Sequence, residues 1–377
     1  MRRWTPFVLL MPFQFIFGLI YSWGTISPAI HVQSGWPQAT LDLAFSLTPL
    51  GLLPAVILAG RALHRLAPKT LLAWALTCFT VGGGIGLLTA SPVAFMLGYS
   101  LLALGVGAGL STAACIALVS RLYPQRRGSL GGALLALYGM SSVISAPLFD
   151  EINRHMGWRP SLAALLGVYA AVGWLAWTFL PEAPAAPGRQ TDPLPLMVLL
   201  KQRPLQWALV IVLMATPLGS ASFATIGHLT KAIGVSSALG VLAVSLMALG
   251  NGVGRLGFGL LADWISPRFS RAAALGLNAL AALLLLGVLR GYGVWAFVAY
   301  PLLIGLAFGG MAGKLPALAA HVAEHHGEAA FGLLFGAFAF ASFLGPFLSA
   351  GLGMHSALQG LALCALAAMG LGLAVAR

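Results

Sequence analysis

Residues 249–263 read LGNGVGRLGFGLLAD. This stretch places one permanent cation, Arg255, inside a segment that is otherwise apolar enough to form a membrane helix. A guanidinium in hydrocarbon costs at least ~2.5–3.5 kcal/mol on insertion scales, so such a residue usually faces a water-filled cavity or a partner. The sequence therefore marks Arg255 as a candidate functional residue.

Two interpretations of Arg255 follow. None of the eight acidic residues of the chain lies in the middle of a predicted span, so an anionic substrate could supply the counter-charge. Alternatively, Arg255 lies in the cytoplasmic half of its helix and its long stem reaches the membrane interface. The surrounding glycines allow neighbouring helices to approach closely, which favours a buried wall over a position that faces lipid.

The whole chain shares this apolar character. Of its 377 residues, 59% are hydrophobic and 7% are charged, whereas charged residues make up about 25% of a soluble globular domain. Twelve apolar runs are each long enough to cross ~30 Å of hydrocarbon as a helix. They cover roughly residues 7–31, 40–62, 70–90, 92–119, 128–149, 158–180, 205–230, 236–262, 271–290, 294–319, 329–350 and 354–376. We therefore predict an all-α membrane protein with twelve transmembrane helices.

The basic residues follow the loops between these runs. With the N-terminus placed in the cytoplasm, fourteen of the twenty Lys and Arg residues fall inside, four fall outside and two lie within spans. This positive-inside bias predicts cytoplasmic N- and C-termini and a multi-pass protein of a bacterial-type inner membrane. Because the cations are not clustered in a soluble domain, the net charge of +12 does not indicate a nucleic-acid partner.

A Pro-rich polar linker at 181–193 interrupts the apolar pattern between spans six and seven. Its position predicts an N-terminal six-helix half at 1–180, a cytoplasmic linker at 181–203 and a C-terminal half at 204–377. Several residues of the first half recur about 200 positions later: Tyr99 as Tyr300, Gly109 as Gly310, Gly60 as Gly259, Pro68 as Pro267, and Lys69 as Arg268. Such echoes suggest pseudo-symmetric parallel halves, as in major facilitator transporters.

The loop GRALHRLAPK at 60–69 and its second copy GLLADWISPR at 259–268 carry a more specific pattern. They resemble the cytoplasmic signature of the major facilitator superfamily, with His64 where an Asp is usual and Asp263 retained in the second copy. In that family the loop gates the inner mouth through charge contacts. The resemblance implies a gating role for Asp263 and Arg61, and an ordinary helix-end charge is the alternative for Asp263.

Three more segments point to a particular subgroup of this superfamily: YPQRRG at 123–128, GWR at 157–159 and FGLIYSWG at 17–24. Together with His228 near the outer end of span seven and Arg255 in span eight, they are similar to the oxalate/formate antiporter family and the related monocarboxylate transporters. The similarity extends over nearly the whole chain. It implies that Arg255 grips a substrate carboxylate, and a planar guanidinium suits that role because it can donate two parallel hydrogen bonds.

Asn251 occupies the position at which proton-coupled monocarboxylate transporters carry an Asp. Positions four apart share a helix face, so Asn251 could bind the substrate or orient Arg255. It cannot carry a proton, which favours anion exchange or facilitated diffusion, or else protonation of another group such as His228. An imidazole titrates near neutral pH, and a structural, hydrogen-bonded histidine is the alternative at that position.

Lys314 is the second intramembrane cation. Family members that carry dicarboxylates resemble this two-cation arrangement but place the lysine in span eleven, where this chain has Phe338. Lys314 could substitute from span ten and bind a second carboxylate. Alternatively, it snorkels to the cytoplasmic interface.

Three polar or aromatic residues complete the predicted site. Gln14 and Tyr21 lie at membrane depth in span one, where polar groups are tolerated if they line a cavity or find partners. Tyr138 in span five could lend an aromatic wall or a hydroxyl group. An outer aromatic belt is the alternative for Tyr21 and its neighbour Trp23, and core packing is the alternative for Tyr138.

The sequence therefore predicts a secondary active transporter that moves mono- or dicarboxylates such as formate, lactate or oxalate across the lipid bilayer by alternating access. We expect a monomer with no enzymatic activity, cofactor or metal site, and we interpret the His- and Glu-containing loop at 321–328 as solvated. The rival is transport of a transition metal such as copper, or of an amphipathic solute. Its soft metal ligands would be Met140, Met214, Met247 and Met311.

Overall fold

The computed structural model describes residues 4–182, 195–291, 293–323 and 326–374. Its regular structure in these ranges is helical, because in hydrocarbon a helix satisfies every backbone polar group within its own segment. The α-helices are α1 (Thr5–Phe17), α2 (Trp23–Ser34), α3 (Gln38–Ala62), α4 (Pro68–Leu88), α5 (Pro92–Phe95), α6 (Gly107–Leu122), α7 (Arg127–Met140), α8 (Ser142–Met156), α9 (Trp158–Phe179), α10 (Leu196–Leu200), α11 (Arg203–Ala232), α12 (Ser237–Trp264), α13 (Pro267–Leu289), α14 (Gly293–Gly313), α15 (Leu315–Val322), α16 (Gly327–Leu352) and α17 (Met354–Ala374).

Within the described residues, twelve segments are long and apolar enough to cross a membrane. This number confirms the twelve spans that hydropathy predicts. The seventh to tenth of these segments belong to α11, α12, α13 and α14, and the last two belong to α16 and α17. Most of the remaining helices combine in pairs into single spans.

The chain divides into two compact units. Unit 1 comprises Met1–Pro124 and Leu137–Pro193, and unit 2 comprises Gln125–Ala136 and Leu194–Arg377. Most of α7 therefore packs with the helices of unit 2, although the sequence places it in the N-terminal half. The halves at 1–180 and 204–377 with their linker at 181–203 stay a prediction, and most of that linker lies outside the described residues.

Three spans in unit 1 depart from regular α-helix. A 3-10 segment, Gly18–Ser22, joins α1 to α2, and a π-helical segment, Met96–Val106, joins α5 to α6. The fifth span is interrupted at Ser141, between α7 and α8. Such irregular turns free backbone groups and often accompany functional sites in membrane helices.

One short turn fixes the ends of α2, α8 and α9. Gly157 has φ +82°, which residues with a Cβ rarely adopt, and it separates α8 from α9. The Gln33 side chain accepts a hydrogen bond from the Trp158 amide at 2.8 Å and donates one to Asn153 Oδ1 at 2.9 Å. The GWR segment of the sequence is therefore a structural corner of unit 1.

In unit 2, glycines bring α12 and α14 into close contact. A Cβ on Gly305, Gly309 or Gly313 would overlap the carbonyl oxygen of Met247, Asn251 or Arg255, respectively. The constant offset of 58 residues shows that the two helices run in the same direction in register. Small residues permit this approach of backbones in a membrane, and the contact fixes the rotation of α12.

Candidate functional site

Arg255 is 1% exposed and belongs to the largest fully buried side chains of the described residues. Its Nε donates a hydrogen bond to Asn251 Oδ1 at 3.0 Å, and its Nη1 donates one to the Leu135 carbonyl oxygen at 3.0 Å. The interpretation that Arg255 snorkels to the interface is therefore wrong. Both acceptors are neutral, so these two bonds orient the guanidinium without cancelling its charge.

Helix α7 supplies a second glycine contact to the same part of α12. A Cβ on Gly132 would lie 2.7 Å from both the Arg255 carbonyl oxygen and the Gly259 Cα. The two backbones can approach this closely only because both helices carry glycine at the crossing. The same crossing brings the Leu135 carbonyl group within reach of Arg255.

Asp263 lies two turns after Arg255 on α12 and binds the beginning of α7. Its carboxylate accepts hydrogen bonds from the Gly128 amide at 2.9 Å and the Ser129 amide at 2.7 Å, and also from the Ser129 hydroxyl group. The first amides of a helix have no partner within the helix, and the positive end of the helix dipole attracts a carboxylate. Asp263 of α12 thus caps the N-terminus of α7, in addition to carrying a charge at the end of its own helix.

Asp263, Gly259 and Arg255 form a continuous row along α12. They contact Gly128 and Ser129, then Gly132, then Leu135 of α7. The sequence identified two members of this row, Arg255 and Asp263. The α7 partners could not be found from side-chain types because most of them act through backbone groups.

In unit 1, the irregular parts of spans one and five pack together. A Cβ on Gly18 would overlap the Tyr138 carbonyl oxygen and lie 2.6 Å from the Ser141 Cβ. The Tyr21 and Tyr138 rings meet edge to face with centroids 5.7 Å apart. The structure therefore brings together two of the predicted site residues, Tyr21 and Tyr138, next to a helix break.

Trp23 does not belong to an outer aromatic belt. It is 9% exposed and stacks on Phe45 and Tyr99, with ring centroids 6.3 and 6.4 Å apart. The aromatic alternative that the sequence left open for Trp23 is therefore wrong.

Gln14 is fully buried in unit 1, as a cavity or core residue would be. Neither of its side-chain amide atoms has a hydrogen-bond partner among the described residues, although the amide lies near the Cys115 thiol group. Buried amides are normally satisfied. Gln14 is therefore a polar group with unused hydrogen-bonding capacity.

Lys314 occupies the junction between α14 and α15, where it is the N-cap residue of α15. It is 4% exposed, so the snorkelling alternative is wrong for this residue too. The charge of Arg271 on α13 acts on its ammonium group. Span ten is also shorter than predicted, because α14 ends at Gly313.

The remaining predicted site residues are placed as follows. Arg61 is half-buried in the last turn of α3, where the negative end of the helix dipole stabilises a cation. His228 belongs to α11, but its side chain lies outside the described part of the chain. Its predicted role is therefore untested.

Two methionines of the metal hypothesis lie at different levels of unit 2. Met247 is part of an apolar cluster in unit 2 and is level with Gly305, whereas Met311 lies six residues, or ~9 Å, further along α14. Met140 is 46% exposed. Within the described residues, no group of three His, Cys, Asp or Glu side chains could hold a metal ion; Glu324 and His325 of the 321–328 loop lie outside them.

A polytopic helical protein with interrupted spans and buried polar side chains at membrane depth has the architecture of a transporter. The sequence profile of the Major Facilitator Superfamily matches residues 8–350. The chain therefore belongs to the Major Facilitator Superfamily. The match confirms the family that the sequence resembles, while the oxalate/formate and monocarboxylate subgroup stays a prediction.

Curated relatives are distant and longer. The chain is 28% identical over 227 residues to an uncharacterized MFS-type transporter, Rv1877, of Mycobacterium tuberculosis, which is 59% of this chain and 30% of that protein. It is 26% identical over 161 residues to the "Putative niacin/nicotinamide transporter NiaP" of Bacillus subtilis, which is 42% of this chain and 39% of that protein. The chain thus spans about a third of the length of these relatives.

Solved structures agree in fold over almost the entire chain. The fucose:proton symporter FucP of E. coli has a TM-score of 0.74 at 15% identity and covers 98% of both chains. The human organic anion transporter MFSD10 has a TM-score of 0.70 at 18% identity and covers 98% of this chain and 99% of that one. At these identities the likeness establishes the fold alone.

Proposed function

We propose that this protein is a secondary active transporter of small organic anions, and that Arg255 binds the carboxylate group of the substrate. The observation that carries the proposal is a fully buried guanidinium whose orientation is fixed by Asn251 and Leu135 through neutral oxygens. Burial strengthens the attraction of this charge for an anion, because the surroundings screen it less than water does. A guanidinium also binds a carboxylate with a defined orientation.

The contact between Arg255 and Leu135 also suggests how binding is linked to opening. An incoming carboxylate is a stronger acceptor for a guanidinium N–H than a neutral carbonyl group. We infer that the substrate competes with the Leu135 carbonyl for Nη1 and so weakens the contact between α7 and α12. Release of this contact would open the end of the bundle at which Asp263 caps α7, as alternating access requires.

This end is the predicted cytoplasmic end of the bundle, and we propose that the protein lies in a bacterial-type inner membrane with both termini in the cytoplasm. Asp263 would then act as the gating residue. Asp263→Asn removes the charge from the start of α7 and should lower the free energy of unfolding by about 1 kcal/mol. Thermal unfolding tests this, with the exposed Glu182→Gln as the control that should leave stability unchanged.

The names of relatives are compatible with an anionic substrate. Niacin, in the name of the Bacillus relative, is a carboxylic acid, although its partner nicotinamide is a neutral amide. The human structural relative is named an organic anion transporter. Both names are consistent with a carboxylate substrate, and formate, lactate and oxalate are the compounds to test first.

We further propose that transport proceeds by exchange or facilitated diffusion. Asn251 accepts the hydrogen bond from Arg255 Nε, and a neutral amide cannot release or bind a proton in the transport cycle. Uptake should therefore not alkalinise a weakly buffered medium outside proteoliposomes. A pH change in proportion to substrate uptake would contradict this part of the proposal.

The decisive transport experiment replaces Arg255 by lysine, which keeps the charge but cannot make the paired hydrogen bonds. Loss of such charged hydrogen bonds costs about 1.5–3 kcal/mol, so counterflow of labelled carboxylate in proteoliposomes should fall about 10- to 100-fold. The matched control is Arg290→Lys, because Arg290 is an exposed cation at the end of α13. Equal counterflow in both variants would disprove the role of Arg255, provided that both unfold at the wild-type temperature.

A further inference from the structure

Three cations lie at one end of the α13 and α14 pair: Arg268 and Arg271 belong to the first turns of α13, and Lys314 follows α14 directly. The two helices are separated by three residues in the sequence and pack against each other, so the start of α13 lies beside the end of α14. The charge of Arg271 acts on Lys314, and the charge of Arg268 acts on Arg271. Lys314 is 4% exposed, Arg271 is half-buried and Arg268 is exposed. The three side chains thus lead from the surface of unit 2 into its interior.

This cationic cluster lacks an acceptor in the part of the chain that the structure describes. Arg271 Nε and the neighbouring Ser270 Oγ are buried without a hydrogen-bond partner, and no hydrogen bond or ion pair to the Lys314 ammonium occurs among the described residues. Like charges at short range in a poorly solvated place repel one another. The N-terminal end of α13 adds a further partial positive charge, so the site as it stands attracts an anion.

Exposed aromatic side chains flank Arg268, the exposed end of this cluster, and favour a position near the lipid headgroups for that end. Trp264, just before the cluster, is 84% exposed, and Phe269, within its sequence, is 65% exposed. Trp side chains such as that of Trp264 concentrate at the boundary between hydrocarbon and water. An anion that reaches Arg268 and Arg271 from the side of the protein is therefore most readily supplied by a membrane lipid.

We propose that Arg268, Arg271 and Lys314 form a binding site for the phosphate group of an anionic phospholipid. The two guanidinium groups can donate several hydrogen bonds to phosphate oxygens, and the ammonium group adds a point charge behind them. Basic pockets between transmembrane helices bind such headgroups on the cytoplasmic side, which is the predicted side of this cluster. Lys314 thereby has a role that is separate from carboxylate transport.

Native mass spectrometry of the purified full-length protein, titrated with phosphatidylglycerol or phosphatidylcholine, tests this site. The wild type should bind phosphatidylglycerol more tightly than phosphatidylcholine. Arg268→Gln, Arg271→Gln and Lys314→Met should each weaken phosphatidylglycerol binding about fivefold, as expected for one surface cation. Phosphatidylcholine binding should not change. Arg290→Gln, at the opposite end of α13, should bind both lipids as the wild type does.

Two results would overturn the proposal. The first is unchanged phosphatidylglycerol affinity in the three variants. Arg268 is exposed, so Arg268→Gln should fold and can be measured even if a variant at a buried position does not fold. The second is competition by inorganic phosphate as strong as that by phosphatidylglycerol, which would assign the site to a soluble anion. Weak competition by inorganic phosphate together with the fivefold losses supports a lipid headgroup.

Discussion

Arg255 and Lys314 are both buried cations of unit 2, but their surroundings differ. Arg255 donates hydrogen bonds to Asn251 Oδ1 and to the Leu135 carbonyl oxygen, whereas the group that acts electrostatically on Lys314 is a second cation, Arg271. Neutral acceptors fix the orientation of a cationic side chain. Two neighbouring cations instead form a site at which one anion can bind to both. Burial of a charge therefore does not define its function; the groups that face it do.

The largest effect should come from placing a new carboxylate beside Arg255. In Asn251→Asp the new carboxylate accepts the bond from Arg255 Nε and competes with the substrate, so carboxylate counterflow should fall about tenfold. As the pH falls through the pKa of the new carboxyl group, its charge disappears and counterflow should recover. Measurement of counterflow from about pH 3 to about pH 8 checks this, because an adjacent guanidinium keeps a carboxyl group charged down to acidic pH.

The matched variant Asn251→Ala separates charge from orientation. It removes the acceptor at Nε without adding a titrating group, so any loss of counterflow should be independent of pH. A similar pH dependence in Asn251→Ala and Asn251→Asp would contradict the assignment of Asn251 as the residue that orients Arg255.

A smaller effect is expected at Gly313, which packs on the Arg255 backbone and directly precedes Lys314. In Gly313→Ala the added methyl group would overlap the Arg255 carbonyl oxygen, and such overpacking typically costs about 1–3 kcal/mol. Thermal unfolding should show this loss. Gly257→Ala on α12 is the control, because its Cβ would meet nothing within 4 Å; equal stability of the two variants would show that α12 and α14 do not pack this closely.

The smallest effect concerns Lys314. In zwitterionic lipid, Lys314→Met should raise the free energy of unfolding by up to about 1 kcal/mol, because it removes a buried charge that faces Arg271. The ratio of oxalate to formate counterflow should stay that of the wild type. A selective loss of oxalate transport would instead make Lys314 the anchor for a second carboxylate, as the sequence first suggested. Lys201→Met, at an exposed position, is the control.

The number and order of the spans could be predicted because each depends on local composition. A run of apolar residues is sufficient to indicate a membrane helix, and the profile match to residues 8–350 confirms the family. The interruptions at Gly18–Ser22 and Ser141 and the early end of α14 at Gly313 could not be predicted, since hydropathy averaged over the length of a span does not resolve a break of a few residues.

The contacts of the candidate site could be predicted only where both residues of a contact lie on the same helix. Asn251 and Arg255 are four residues apart, so their shared face follows from helix geometry, and the structure adds the bond between them. Leu135 acts through its backbone carbonyl group and leaves no side-chain signal. The proximity of Lys314 to Arg271 depends on how α13 and α14 pack, which the order of residues does not reveal.

Arg255 should recognise the negative charge of a carboxylate, and a comparison of the binding of an acid and its amide tests this recognition. Isothermal titration of the wild type and of Arg255→Gln with lactate and lactamide, and likewise with nicotinate and nicotinamide, compares ligands that differ mainly in this charge. The wild type should prefer the acid of at least one pair by about tenfold or more, and this preference should disappear in Arg255→Gln. An acid preference that survives in Arg255→Gln, or a wild type that binds acid and amide equally in both pairs, would contradict the role of Arg255.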